Sequence, residues 1–314
     1  MIDERPPLLI TAMFRSGTAL LTRILSADAG FRETFWEPLH PELPEQTQLY
    51  DHYRNYVNHS EILDHWKNRF HDTPLLLSTS DREESLRSYL SLIFQNNILA
   101  KTVRGQLRIG WILHHFPQLR VIHLVRDPRA VSYSYVKQGY QPTFWQMVKR
   151  YIPFLSNEIQ PDSKRVSLDI YETKTYLNTL QNVDRWTSYL NNLKGSPPYI
   201  TFLALWNILN KECQERLENG EISRWTTIQY ENLCKRPVET LRNVYQLIDA
   251  EIPEMVRKNA TGEAVNQMGG HKKWQTKIST KWMNEWKRRT DRTLWQRGVK
   301  KAQLEPTMKS FGYT

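Results

Sequence analysis

The chain lacks the features that define several broad protein classes. No apolar run approaches the roughly 18 residues that a membrane-spanning helix needs. Only two cysteines occur, Cys213 and Cys234, too few for a disulfide framework or a cysteine-rich zinc module. No secretory leader is expected. The first apolar run, Leu8 to Met13, is short, has no basic start and passes directly into the polar turn Arg15-Ser16-Gly17-Thr18. These features predict a soluble, intracellular, cytoplasmic chain with no membrane partner and with reduced thiols. There is no internal repeat, no low-complexity tract and no convincing linker, so 1–314 is expected to be a single domain.

What is present supports a folded core and an anionic partner. Of 314 residues, 39% are hydrophobic and 24% charged, with a mean hydropathy of −0.63, a balance unlike that of disordered chains. Lys and Arg number 43 against 33 Asp and Glu, a net charge of +10. Such a surface attracts nucleotides, sulfated or phosphorylated ligands, nucleic acid or acidic lipid. The 11 Trp, 15 Tyr and 10 Phe are enough to line a ligand cleft as well as a core.

Strand and helix signals alternate along the chain. Residues 8–13 read as a short buried strand, and 19–27 as a helix with Leu20, Leu21, Ile24 and Leu25 on one side. Residues 120–125 form a second strand, followed by a turn and a helix over 129–137; Pro128 sits where a first helical turn tolerates it. A third strand spans 225–229, then a turn at Tyr230-Glu231-Asn232-Leu233 and a helix over 238–248. Leu99 to Thr102 reads as a further strand end, and 85–96, 106–116 and 199–217 as helices. This order predicts an α/β fold with a parallel sheet covered by helices on both faces. Residues 139–198 are too long for a simple connection and are expected to form a helical insertion.

Two strand–turn–helix units carry anion-binding chemistry. Between the first strand and its helix, Arg15-Ser16-Gly17-Thr18 combines a helix N-terminus, a glycine that allows close backbone approach, two hydroxyls and a guanidinium. It lacks the GxxxxGK[ST] pattern, and so the lysine and magnesium-binding hydroxyl, of a nucleoside-triphosphate loop. In the second unit, Arg126 ends a strand and Ser134 follows about two helical turns on. An arginine and a hydroxyl suit a phosphate monoester at the edge where open α/β sheets bind ligands. The competing readings are a capped turn at 15–18, an Arg126–Asp127 salt bridge and a surface Ser134.

Together these segments resemble the sulfotransferases that use 3′-phosphoadenosine 5′-phosphosulfate (PAPS). The match lies in LLITAMFRSGTALLTRIL, VIHLVRDPRAVSYS, WTTIQYENLCKRP and the tail from Ile278 to Tyr313, in family order. The resemblance implies a P-loop-like central parallel sheet. It also implies that Arg15, Ser16, Gly17, Thr18 and Ala19 wrap the 5′-phosphosulfate, with Ala19 standing where many members carry a hydroxyl. Arg126 and Ser134 would hold the 3′-phosphate, while Tyr230 and Lys281 would contact the cofactor. Glu37, in Phe35-Trp36-Glu37-Pro38-Leu39, resembles the general base of carbohydrate sulfotransferases, and Trp36 and Pro38 are expected to desolvate it and raise its pKa. His40 is the rival base. Lys101 resembles a strand-end lysine that approaches the transferring sulfuryl group, against the simpler reading of a snorkelling surface lysine.

The implied reaction is in-line transfer from PAPS to a hydroxyl or amine of a carbohydrate or small-molecule acceptor, with Glu37, Arg15 and Lys101 as catalytic residues. PAP is released and no metal is used. Such a transition state is loose and charge-rich, so positioning and charge neutralisation dominate. His114 and His115 are adjacent on a predicted helix and form no metal site. The alternatives are a P-loop-like nucleotide kinase and a non-catalytic polyanion-binding protein. The latter would use the basic stretches His271 to Lys281 and Trp286 to Arg292, although no nucleic-acid partner is expected. Tyr140, Phe144, Trp145, Tyr151 and Phe154 are candidates for stacking on the acceptor.

Overall fold

Leu8, Leu9, Ile10 and Thr11 are fully buried, as the central strand of a sheet covered on both faces requires. The computed structural model describes residues 4–39, 76–135, 176–262, 280–283, 285–289 and 292–314. Its elements run β1 (Leu8–Thr11), α1 (Thr18–Leu25), β2 (Glu33–Trp36), α2 (Glu84–Ile93), β3 (Ile98–Thr102), α3 (Ile109–His115), β4 (Arg120–Val125) and α4 (Pro128–Tyr135). There follow α5 (Asp184–Asn191), α6 (Pro198–Glu218), β5 (Trp225–Gln229), α7 (Tyr230–Lys235), α8 (Pro237–Leu247) and α9 (Glu254–Thr261). The last helices are α10 (Glu285–Arg289), α11 (Arg292–Lys301) and α12 (Glu305–Ser310).

The chain forms two compact units, one of residues 1–126 and 209–281, the other of 127–208 and 282–314. The first holds a five-stranded sheet in the order β2-β3-β1-β4-β5, with every neighbouring pair parallel. Leu9 is level with Ala100 and Val121, Ala100 with Phe35, and Val121 with Trp225. This row packs against Leu86, Tyr89, Leu90 and Ile93 of α2, Trp111 and Ile112 of α3, and Cys213 and Leu217 of α6. Because side chains alternate along a strand, the next row, Trp36, Lys101, Ile10 and Ile122, points the other way. There, α1 buries Leu21, Ile24 and Leu25. Both thiols are buried and unbridged.

In the second unit, Arg129 on α4 chelates Asp127, with Nε 2.8 Å from Oδ1 and Nη2 2.7 Å from Oδ2. The same guanidinium lies 4.6 Å from each of the Trp286 and Trp295 rings. It also donates through Nη1 to the Thr314 carbonyl at 2.8 Å.

Several predicted elements change form. No strand is expected from sequence around Phe35 and Trp36, yet Glu33–Trp36 pairs with β3 as the edge strand. The helix expected over 106–116 divides into a 3₁₀ turn, Gln106–Arg108, followed by α3, and the expected turn at Tyr230 is the short helix α7. Of the expected insertion, 139–175 lies outside the described residues, while α5 and the start of α6 are helical. Among the described residues no helix is long and apolar enough to cross a membrane.

His123 on β4 is fully buried, with Nε2 3.1 Å from Asn210 Oδ1. Burial disfavours the imidazolium and outweighs the Asn210 contact, bringing the pKa down to about 4. An unfolded histidine binds its proton near pH 6.5, so stability is complete above that pH and falls as pH drops towards 4, by about 1.4 kcal/mol per unit for this group. His123→Gln is expected to flatten the difference between urea unfolding free energies at pH 7 and pH 5. Equal pH dependence in the two proteins would rule out the histidine as its source.

Candidate active site

The strand order turns back on itself around β1, with β3 on one side and β4 on the other. Ligands bind outside the carboxyl ends of strands at such a point. Beyond β1 the chain reverses through two left-handed residues, Arg15 at φ 64° and Gly17 at φ 96°, before α1 starts at Thr18. Ser16 N–H donates to the Met13 carbonyl at 3.3 Å, while the Ser16 hydroxyl is buried with no partner among the described residues. The first N–H groups of a helix have no carbonyl to pair with. Thr18 and Ala19 supply these, and Ala19 contributes backbone alone.

Two later segments converge on this loop. A Cβ on Gly17 would lie 2.3 Å from Tyr230 Cδ2, so the tyrosine ring rests directly on the glycine backbone. The Arg126 guanidinium is 4.5 Å from the centre of that ring, and Arg126 Nη1 donates to the Arg15 carbonyl at 3.0 Å. Burial holds the Tyr230 phenol above its ordinary pKa, with the Arg126 charge opposing it. Asp127, the alternative salt-bridge partner read for Arg126, is chelated by Arg129. Ser134 belongs to the second unit, half-buried in the last turn of α4. Lys281 falls in the 3₁₀ turn Thr280–Met283.

Beyond β2, Glu37 takes a left-handed conformation at φ 54°, and its N–H donates to the Lys101 carbonyl at 2.6 Å. Its carboxylate is buried at 7% exposure and fully engaged. Oε1 accepts from Lys101 Nζ. Oε2 accepts from Arg104 Nη1 at 2.8 Å, from Val103 N–H at 3.0 Å and, at longer range, from the Thr102 hydroxyl at 3.5 Å. Burial pushes the carboxyl pKa up, but Lys101 and Arg104 outweigh it and hold the group below its ordinary value. The upward shift expected from Trp36 and Pro38 is therefore reversed. Trp36 instead lies 5.3 Å from the Lys101 ammonium. Lys101, also 7% exposed, is no snorkelling surface lysine.

Arg104 is the residue that sequence reasoning missed. It follows Lys101 by three positions in Lys101-Thr102-Val103-Arg104, just past a strand's carboxyl end, and that position was its available signal. It is 5% exposed and lies 5.6 Å from the Phe14 ring in the loop that follows β1. The rival base His40, the aromatic residues Tyr140, Phe144, Trp145, Tyr151 and Phe154, and most of the basic stretch from His271 lie outside the described residues. Trp286, in the other basic stretch, is buried and stacked on Arg129, so it is not an open platform for a base. The His114 and His115 rings stand edge to face, 5.0 Å apart. Among the described residues no group of three or more His, Cys, Asp or Glu could hold a metal ion.

Comparisons with known proteins bear on this arrangement. The family model described as the sulfotransferase family matches residues 6–165, while no curated protein sequence matches. A sulfotransferase domain from the curacin biosynthetic pathway is similar at 16% identity and TM-score 0.49, covering 94% of this chain and 96% of that one. A sulfotransferase domain from the Synechococcus PCC 7002 olefin synthase is 16% identical at TM-score 0.45, covering 98% and 95%. Mouse sulfotransferase SULT7A1, solved with PAP, is 10% identical at TM-score 0.44, covering 97% and 85%. The family match takes in just over half of the chain, including β1 to β4, the loop at Gly17, Glu37, Lys101 and Arg126, and the chain belongs to the sulfotransferase family.

Proposed function

We propose that this sulfotransferase moves a sulfuryl group from PAPS to a hydroxyl or amine of a carbohydrate or small-molecule acceptor and releases PAP. One observation carries this function. Arg126 is joined to the loop at Gly17 through the Arg15 carbonyl and lies over Tyr230, so two anion-binding elements meet at one sheet edge. The buried Ser16 hydroxyl, without a partner among the described residues, and the N–H groups opening α1 suit an anionic oxygen.

In this function Arg15, Ser16, Gly17, Thr18 and Ala19 hold the 5′-phosphosulfate. Arg126 takes the 3′-phosphate, with Ser134 as the second residue its sequence motif supplies. Tyr230 supports the nucleotide, and Lys281 covers it. PAPS supplies the activated sulfuryl group. Arg15 and Lys101 neutralise charge on the leaving phosphate and the equatorial oxygens. Glu37 takes the acceptor proton as general base; its low pKa keeps it ionised at neutral pH.

Incubation with ³⁵S-labelled PAPS and a pooled glycan and metabolite panel should label a product, and no label in any pool would count against transfer to these acceptor classes. Arg126→Ala should weaken PAP binding about 10- to 100-fold, as expected for lost charge-assisted hydrogen bonds, while adenosine 5′-phosphate changes little in parallel calorimetric titrations. Equal weakening of both nucleotides would remove Arg126 from the 3′-phosphate. Glu37→Gln should bind PAP normally yet transfer about 10²-fold more slowly; unimpaired transfer would exclude Glu37 as the base.

A further inference from the structure

The two oxygens of Glu37 are held in different ways. Among the described residues Oε1 has one partner, Lys101 Nζ. Oε2 has the Arg104 guanidinium, the Val103 N–H and the Thr102 hydroxyl. The two cations differ equally. Arg104 is 5% exposed, lies 5.6 Å from the Phe14 ring and offers a planar, permanently charged donor set. Lys101 is a point charge on a flexible four-carbon stem, and its other contact is the Trp36 ring at 5.3 Å. One cation is built to stay and the other is able to move.

We infer that Arg104 is a positioning residue for proton removal, clamping Glu37 Oε2 so that Oε1 is the oxygen that receives the acceptor's proton once Lys101 turns away from it. This inference rests on the proposed roles of Glu37 as base and Lys101 as the partner of the sulfuryl group. An anionic sulfuryl donor beyond β1 competes with Glu37 for the Lys101 ammonium. When Lys101 leaves, Oε1 loses its one partner among the described residues and a neighbouring positive charge, so its proton affinity rises as the donor arrives. The electron pair of the acceptor's O–H or N–H bond then stays on the acceptor atom as that atom bonds to sulfur. The old S–O bond breaks with its pair on the departing phosphate, and the proton rests on Oε1. Without Arg104, Oε2 would keep the Val103 N–H at 3.0 Å and the Thr102 hydroxyl at 3.5 Å but lose its charged clamp, so Oε1 would be held less firmly towards the acceptor. Among the described residues the charged groups bearing on Glu37 are Lys101 on β3 and Arg104 just beyond it.

The test follows Glu37 directly, by titrating its side-chain carboxyl in ¹³C-glutamate-labelled protein, with the resonance assigned by its loss in Glu37→Gln. In wild type the midpoint should lie below that of an ordinary glutamate and rise by about one unit when PAPS is added without acceptor. Lys101→Met should abolish that PAPS-induced rise. Arg104→Met should raise the PAPS-free midpoint by about one unit or more while leaving calorimetric PAP affinity within about threefold. Arg104→Lys should restore part of the shift, and this second variant covers the case in which Arg104→Met fails to fold. A folded Arg104 variant with an unchanged Glu37 midpoint, or a wild-type midpoint indifferent to PAPS despite PAP binding, would overturn the inference alone. Failure of PAP to bind wild type would instead overturn the proposed function beneath it.

Discussion

Because β1 pairs in parallel with β3 on one side and β4 on the other, the carboxyl ends of β1 and β3 finish level with one another and β4 runs two residues further, to Val125. Thr11, Thr102 and His123 share a row, and the chain leaves that level into the Gly17 loop, towards Arg104 and towards Arg126. Edge strand β2 extends the row, bringing Trp36 level with Lys101 and Glu37 just beyond. Residues far apart in sequence are thus gathered at one sheet edge by strand register. A one-residue slip would turn each of these side chains to the opposite face.

The chemistry at that edge is costly to maintain. Arg15 and Glu37 both adopt left-handed backbone conformations, each unfavourable by about 1–3 kcal/mol for a residue with a side chain. Burying Glu37, Lys101 and Arg104 together forfeits hydration that their attraction only partly restores. Removing one member of such a group typically costs about 3–5 kcal/mol. Left-handed backbone also occurs away from this edge, at Asn97, Asp249 and Gln303, so the buried charge cluster around Glu37 is the stronger mark of a functional site.

Much of the framework was legible in the sequence. Strands at 120–125 and 225–229 coincide with β4 and β5, and the first strand and helix fall within two residues of β1 and α1. Apolar periodicity and turn residues are local signals. β2 escaped notice because Glu33-Thr34-Phe35-Trp36 is short, only half apolar and stabilised by pairing with β3 rather than by its own pattern. The same limit applies to the site. The loop at Gly17 is a contiguous motif and could be read, whereas the environment of Glu37 is made by residues 64 to 67 positions away. Sequence neighbours Trp36 and Pro38 suggested desolvation and an upward shift. The cations that reverse its sign come from across the sheet, as does the role inferred for Arg104.

The central claim is that a single doubly phosphorylated adenine nucleotide joins the Gly17 loop to Arg126. A crystal structure of the protein with PAP tests it most directly. The 5′-phosphate is expected against the N–H groups of residues 17–19 and the 3′-phosphate against the Arg126 guanidinium, with the nucleotide beside Tyr230. A PAP molecule bound elsewhere, or one touching the loop with its 3′-phosphate away from Arg126, would contradict the claim.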